Sequence, residues 1–174
     1  MKDPYIVLAR KTIEKYIKTG QKPRLPANLP EELLKKRAGV FVSIHKKAGE
    51  LRGCIGTFAP TKENIAKEII YNSIAAATQD PRFPPITKKE LPTLTYSVDI
   101  LSASKTVSNR KILDPKKYGL IVSTADGRRG LLLPDIPGVE TAKEQIEICK
   151  RKAGIFPGEK VTFQIFTVAR HAEK

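Results

Sequence analysis

At 174 residues, 40% of them hydrophobic, the chain is long enough to fold as one domain, or one domain with a lobe, around a substantial core. It holds no apolar run near the roughly 18–20 residues of a membrane helix and no hydrophobic signal core, which predicts a cytoplasmic protein without a membrane partner. The net charge of +14 admits a small anionic molecule, a protein or, less favourably, a nucleic acid as partner.

The basic residues are spread along the chain. The runs Lys35-Lys36-Arg37 and Lys150-Arg151-Lys152 are only three residues long, and with no Trp there is no stacking platform for single strands. The two cysteines, Cys54 and Cys149, lack CxxC spacing, so neither a metal site nor a disulfide framework is indicated.

In chain order, Asp3-Pro4 followed by Ile6, Ala9, Ile13 and Ile17 predicts a capped amphipathic helix that stops at Gly20. Pro23, Pro26 and Pro30 make an extended connection, and a short helix is expected near residues 31–37. Gly39 to His45 and Leu51 to Thr57 then flank the turn-like Lys46-Lys47-Ala48-Gly49-Glu50, which predicts a β-hairpin. With a turn of that length Cys54 falls opposite Phe41 or Val42, and His45 lies near the turn, on the order of 10 Å along the strand and too far to serve as its base.

The second strand of that hairpin, Leu51-Arg52-Gly53-Cys54-Ile55-Gly56-Thr57, is the most informative stretch. A thiol works as nucleophile only as thiolate, and a neighbouring guanidinium lowers its pKa. Gly53 and Gly56 admit a close approach by another backbone or a ligand. Against this stands the tendency of free cysteine to serve as a small buried hydrophobe.

Pro60-Thr61 opens a predicted helix running to about Gln79, with Thr61 as its N-cap. Next comes Asp80-Pro81-Arg82-Phe83-Pro84-Pro85. Three prolines in six residues either preorganise Asp80, Arg82 and Phe83 as a site or simply stiffen a connection. Thr87 to Glu90 matches a capping box, Leu94 to Ile100 alternates as a strand, and Asp126-Gly127 joins strands Leu120–Thr124 and Gly130–Leu133. Thr141-Ala142-Lys143-Glu144 opens a helix that carries Cys149 on its core face, and Val161, Phe163 and Ile165 mark a last strand. His171 falls in a C-terminal segment where disorder is common. Strands arriving as hairpins among helices give an α+β fold with mainly antiparallel sheets flanked by helices.

Three stretches together, Leu51 to Thr57, Asp80 to Pro85 and Gly130 to Pro134 with the helix ending Cys149 to Gly154, resemble the AMMECR domain family over nearly the whole chain. The resemblance implies a two-lobed α+β fold with a groove near the glycine-rich motif. It implies as candidate site residues Arg52, Gly53, Cys54, Gly56, Asp80 and Arg82. It also implies partners, a Memo-like protein and a radical S-adenosylmethionine enzyme, and leaves the cofactor and reaction unknown.

Two functional classes follow. In an enzyme, Arg52 and Arg82 would neutralise an anionic substrate, Cys54 would act as nucleophile or redox thiol, and Asp80 would orient a group or accept a proton. In a non-catalytic module the same groove, with Gly53, Gly56, Arg82 and Phe83, would bind a ligand or partner segment around an inert Cys54.

Overall fold

The computed structural model describes residues 3–173. Residues up to Leu101 together with those from Ala169 onward form one compact unit, and Ser102–Val168 form a second. The fold is α+β, with two antiparallel four-stranded sheets and four α-helices among the described residues.

The first unit begins with α1 (Pro4–Thr19). Asp3 Oδ1 accepts from the Tyr5 N–H at 2.9 Å, and Gly20 ends the helix in the left-handed region, φ 72°. That pairing of an acidic N-cap, proline in the first turn and glycine at the stop is the one the sequence predicts. After α2 (Glu31–Lys35) come β1 (Val40–Lys46), β2 (Leu51–Thr57), α3 (Ile65–Thr78) and β3 (Leu94–Leu101). The C-terminal strand β8 (Val168–Ala172) completes a sheet of order β2-β1-β3-β8. Val40, Val42 and Ile44 of β1 and Leu94, Tyr96 and Val98 of β3 pack in one core with Ile6, Ala9 and Ile13 of α1 and Ile65, Ile69 and Ile70 of α3. One sheet face is thus sealed by helices. The alternate side chains, Phe41, Ser43 and His45 of β1 with Ser97 and Asp99 of β3, form the opposite face.

Three expectations are corrected here. The N-cap of α3 is Asn64, whose side chain accepts from the Lys67 N–H at 2.9 Å, and not Thr61. The reason is the wholly buried Glu68. Its carboxylate accepts from the Thr61 N–H and hydroxyl, the Lys62 N–H and the Thr57 hydroxyl, which holds residues 61–62 outside the helix. These bonds outweigh desolvation and keep the Glu68 carboxyl below its ordinary pKa.

The hairpin register also differs. The turn pairs His45 with Leu51, a register that would place Cys54 opposite Val42 on the core face, but the next pair is Ile44 with Gly53. Arg52 is the extra residue of a β-bulge, so Cys54 pairs with Ser43 instead. Because side chains alternate with period two, this one-residue slip moves Cys54 to the face opposite the helices.

His171, finally, lies in β8, stacked on Tyr5 with ring centroids 3.8 Å apart and its Nδ1 2.7 Å from Asp3 Oδ2.

In the second unit β4 (Lys105–Val107), β5 (Gly119–Ser123), β6 (Arg129–Leu132) and β7 (Thr162–Phe166) form a sheet of order β4-β7-β5-β6. The helix α4 (Ala142–Ala153) carries the expected Thr141–Glu144 capping box and ends at Gly154. Ile146 and Cys149 pack on Leu120, Val122 and Phe163. Burial pushes the Cys149 thiol up to about 12, as suits a core residue.

Candidate functional site

Strand β2 is an edge of the first sheet, so the backbone of Cys54 would face solvent unpaired. The loop after α3 prevents that. Asp80 Oδ2 accepts from the Cys54 N–H at 2.8 Å, and Arg82 Nη2 donates to the Cys54 carbonyl at 3.3 Å. The two side chains are locked to each other through Arg82 Nε to Asp80 Oδ1, 3.0 Å, and Nη2 to Oδ2, 2.7 Å. An ion pair thereby stands in for a neighbouring strand and clamps the peptide groups on both sides of Cys54.

Asp80 is the buried member of this pair, while the Arg82 side chain is 55% exposed. The Arg82 guanidinium, seconded by the Cys54 and Arg82 N–H groups, holds the Asp80 carboxyl down to about 2. At neutral pH Asp80 is a fixed anion and does not take up a proton.

Arg52 supports the same loop from its base. Its Nε donates to Glu90 Oε1 at 2.7 Å and its Nη1 to the Pro84 carbonyl at 2.9 Å, and its side chain is 8% exposed. Glu90, in turn held down to about 2 by Arg52, accepts from the Thr87 N–H and hydroxyl. Phe83 is half-buried, with the guanidinium carbons of Arg52 and Arg82 at 5.9 and 5.5 Å from its ring centre. The prolines 81, 84 and 85 thus belong to a braced loop whose charged groups are paired.

Across the sheet, Cys54, Ser43 and Ser97 occupy one row of register partners, and Gly56, Phe41 and Asp99 the next. The Ser43 hydroxyl lies 3.2 Å from the Cys54 sulfur and donates to it. Cys54 is half-buried, and desolvation raises its thiol pKa despite that bond and the nearby Arg82 charge. Asp99 is buried and paired with Arg170 of β8 at 2.8 and 3.1 Å. Burial and the positive charge of Arg170 lower the pKa of His45, which sits next to the bulge.

The structure therefore brings Cys54, Asp80 and Arg82 into direct contact and places Arg52 and Phe83 behind them. It turns Gly53 the other way. A Cβ there would lie 2.3 Å from the Ala76 carbonyl oxygen of α3, so the glycine serves helix packing. Gly56 lies under the Phe41 ring. Ser43, Asp99 and Glu90 were missed from sequence. A serine inside Val40-Phe41-Val42-Ser43-Ile44 and an aspartate inside a strand were the available signals. In the second unit Arg128, beside the Asp126-Gly127 turn, is engaged by Asp126, Glu159 and the Gly154 carbonyl.

The profile of the AMMECR1 family matches residues 6–171. The chain belongs to the AMMECR1 family. The match spans both units and every element of the candidate site. A Thermotoga maritima protein is 53% identical over 169 residues, covering 97% of each chain. A Clostridium acetobutylicum protein is 47% identical over 99% of this chain, which spans only 36% of that longer protein. The crystal structure of an uncharacterized Pyrococcus horikoshii protein superposes with a TM-score of 0.89 at 31% identity, covering 98% of this chain and 90% of that one. The AMMECR1 domain's clamp thus sits on a fold shared with a solved structure. Among the described residues, no helix is long and apolar enough to cross a membrane, and no cluster of three or more His, Cys, Asp or Glu could hold a metal ion.

Proposed function

We propose that this AMMECR1 domain is a binding component whose recognition face is centred on Cys54, and that it does not by itself carry out nucleophilic catalysis. One observation carries this reading. The thiol is pushed toward its protonated form by burial, and its side-chain neighbour, Ser43, donates a hydrogen to the sulfur where a catalyst would need a base to accept one.

The cations point the same way. Arg52, Arg82 and Arg170 are each matched by a carboxylate, from Glu90, Asp80 and Asp99, so a simple anion would have to compete with a fixed partner. A polar ligand of low net charge, or a protein segment that can hydrogen-bond to the exposed side of Arg82 and lie over Phe83, suits the face better. Gly56 leaves room for the Phe41 ring to lie across the strand beside Cys54. Arg52 and Asp80 act as positioning residues that hold the loop and the Cys54 peptide groups.

The Memo-like protein and the radical S-adenosylmethionine enzyme implied by the family are the candidate partners that would add chemistry. The cytoplasm, which keeps thiols reduced, is the setting proposed for a chain whose two cysteines are free.

The test is the alkylation rate of native Cys54 against pH, measured with iodoacetamide in a Cys149→Ala background. The rate is expected to keep climbing through about pH 9, with its midpoint above the ordinary thiol value of about 8.5. Arg82→Ala should move the midpoint further up, since the nearby guanidinium favours the thiolate. A midpoint below about 8 would instead establish an activated thiolate and favour the enzyme reading.

A further inference from the structure

A hollow of about 820 Å³ opens in the first unit, at the end of the sheet remote from Gly56, between α1, the start of β3 and the end of β8. None of the residues of the Cys54 face lines it. One part of its lining is apolar, with Ile6 and Val7 from α1, Pro92 from the approach to β3, Leu94 at the start of β3 and Ala172 from β8. Its volume is within the range of small-molecule sites.

The charges at its rim are not balanced. The two acids that line it are already engaged. Asp3 accepts from the Tyr5 N–H and pairs with His171. Glu173 takes three bonds from Arg10, at 2.7, 2.7 and 3.0 Å, and one from the Tyr96 N–H at 3.1 Å. Arg10 is in turn spent on Glu173 and lies over the Tyr96 ring, 4.8 Å from its centre. Lys11 and Lys47 also line the hollow, from α1 and from the β1–β2 turn, and no carboxylate of the described residues forms an ion pair with either. Among the described residues the free charge at the mouth is therefore positive, and it stands beside apolar side chains against which the body of a ligand could rest.

We propose that this hollow binds an amphipathic organic anion, a soluble small molecule with an apolar body seated against Ile6, Val7 and Leu94 and a carboxylate or similar head between Lys11 and Lys47. A neutral or cationic ligand would leave both lysines unmatched. The Arg10–Glu173 pair makes a fixed wall, so such a ligand would also tie β8 to α1.

8-Anilinonaphthalene-1-sulfonate, which combines an aromatic body with a sulfonate, serves as the probe on the folded full chain. Saturable binding with one site is expected, reversed by decanoate but not by decyltrimethylammonium at equal concentration. The double variant Lys11→Glu, Lys47→Glu changes only exposed side chains and should weaken binding about tenfold or more, as two reversed charges near an apolar wall imply. Val7→Trp, which fills the hollow from its wall, should abolish binding while thermal unfolding shows the fold retained. The proposal is overturned if neither probe nor decanoate saturates by about 1 mM. It is equally overturned if the double variant binds as well as the parent, if decyltrimethylammonium competes as well as decanoate, or if binding survives Val7→Trp.

Discussion

Asp80→Asn is expected to destabilise the protein by about 3 kcal/mol at neutral pH and to flatten the acid limb of its stability curve. The carboxylate accepts four hydrogen bonds from two directions, the Cys54 N–H on one side and the Arg82 N–H, Nε and Nη2 on the other. An amide offers one oxygen and no charge. It leaves either the Cys54 N–H or the arginine without its acceptor, and it presents an NH2 group toward donors. Exposure of the Arg82 side chain keeps the loss from the upper end of the range for a wholly buried pair.

The sign of the pH effect follows from the depressed pKa. A carboxyl held at about 2 in the folded chain and near 3.8 in the unfolded one contributes stability above pH 4 that is lost as pH falls toward 2. At 1.36 kcal/mol per unit this is about 2.5 kcal/mol. Urea unfolding at several pH values, for parent and variant, reads both quantities. Equal stability at neutral pH, or an unchanged acid slope, would show that the pair is ornamental. Because Asp80 positions the Cys54 peptide and its charge disfavours the thiolate, the variant should also alkylate faster at Cys54 than the parent under conditions where both are fully folded.

The parts of this fold that could be read from the sequence are those set by neighbours in the chain. The Asp3-Pro4 start and Gly20 stop of α1, the Asp126-Gly127 turn with Gly127 at φ 92°, and the Thr141–Glu144 capping box depend on a few adjacent residues and appear where local rules put them. The strands Leu94–Leu101 and Thr162–Phe166 follow the alternation of their apolar side chains.

What was not legible depends on contacts distant in sequence. Thr61 has the right chemistry for an N-cap, but Glu68 offers it a buried carboxylate and the cap passes to Asn64. β8 lacks an apolar alternation and is held, with the residue that follows it, by Arg170 to Asp99, His171 to Asp3 and Glu173 to Arg10, partners at least 71 residues away. At the candidate site the residue types were legible and their division of labour was not. The bulge at Arg52, which no local signal announces, moves Cys54 from the core face to the open face, and the long Arg52 side chain goes to Glu90 in a loop whose position only the tertiary fold decides.

Gly53→Ala should be the most damaging of the small substitutions in the motif, at about 3 kcal/mol or somewhat more, or about 10 °C in Tm. The added Cβ would stand 2.3 Å from the Ala76 carbonyl oxygen and 3.3 Å from its carbon. Both are backbone atoms inside α3, and Ala76 is 2% exposed. No rotamer change relieves the clash. The helix has to lift from β2, opening gaps among Ile44, Ile69 and Ala77.

Gly56→Ala offers the contrast. Its Cβ would meet the Phe41 ring at 2.2 Å, at the ring carbon nearest the backbone, so the whole half-buried side chain has to turn about χ1; on the open face it has room to do so, and a cost of about 2 kcal/mol, below that of Gly53→Ala, is expected. The pair of variants therefore measures the stiffness of the two sides of one strand. A rigid helix side with a yielding open side lets a ligand displace Phe41 and reach Cys54 without disturbing the core, and Gly56→Ala should then change Cys54 alkylation more than it changes Tm. Equal destabilisation by the two alanines would mean that Phe41 is as immobile as α3, and a recognition face that depends on access past that ring would have to be abandoned.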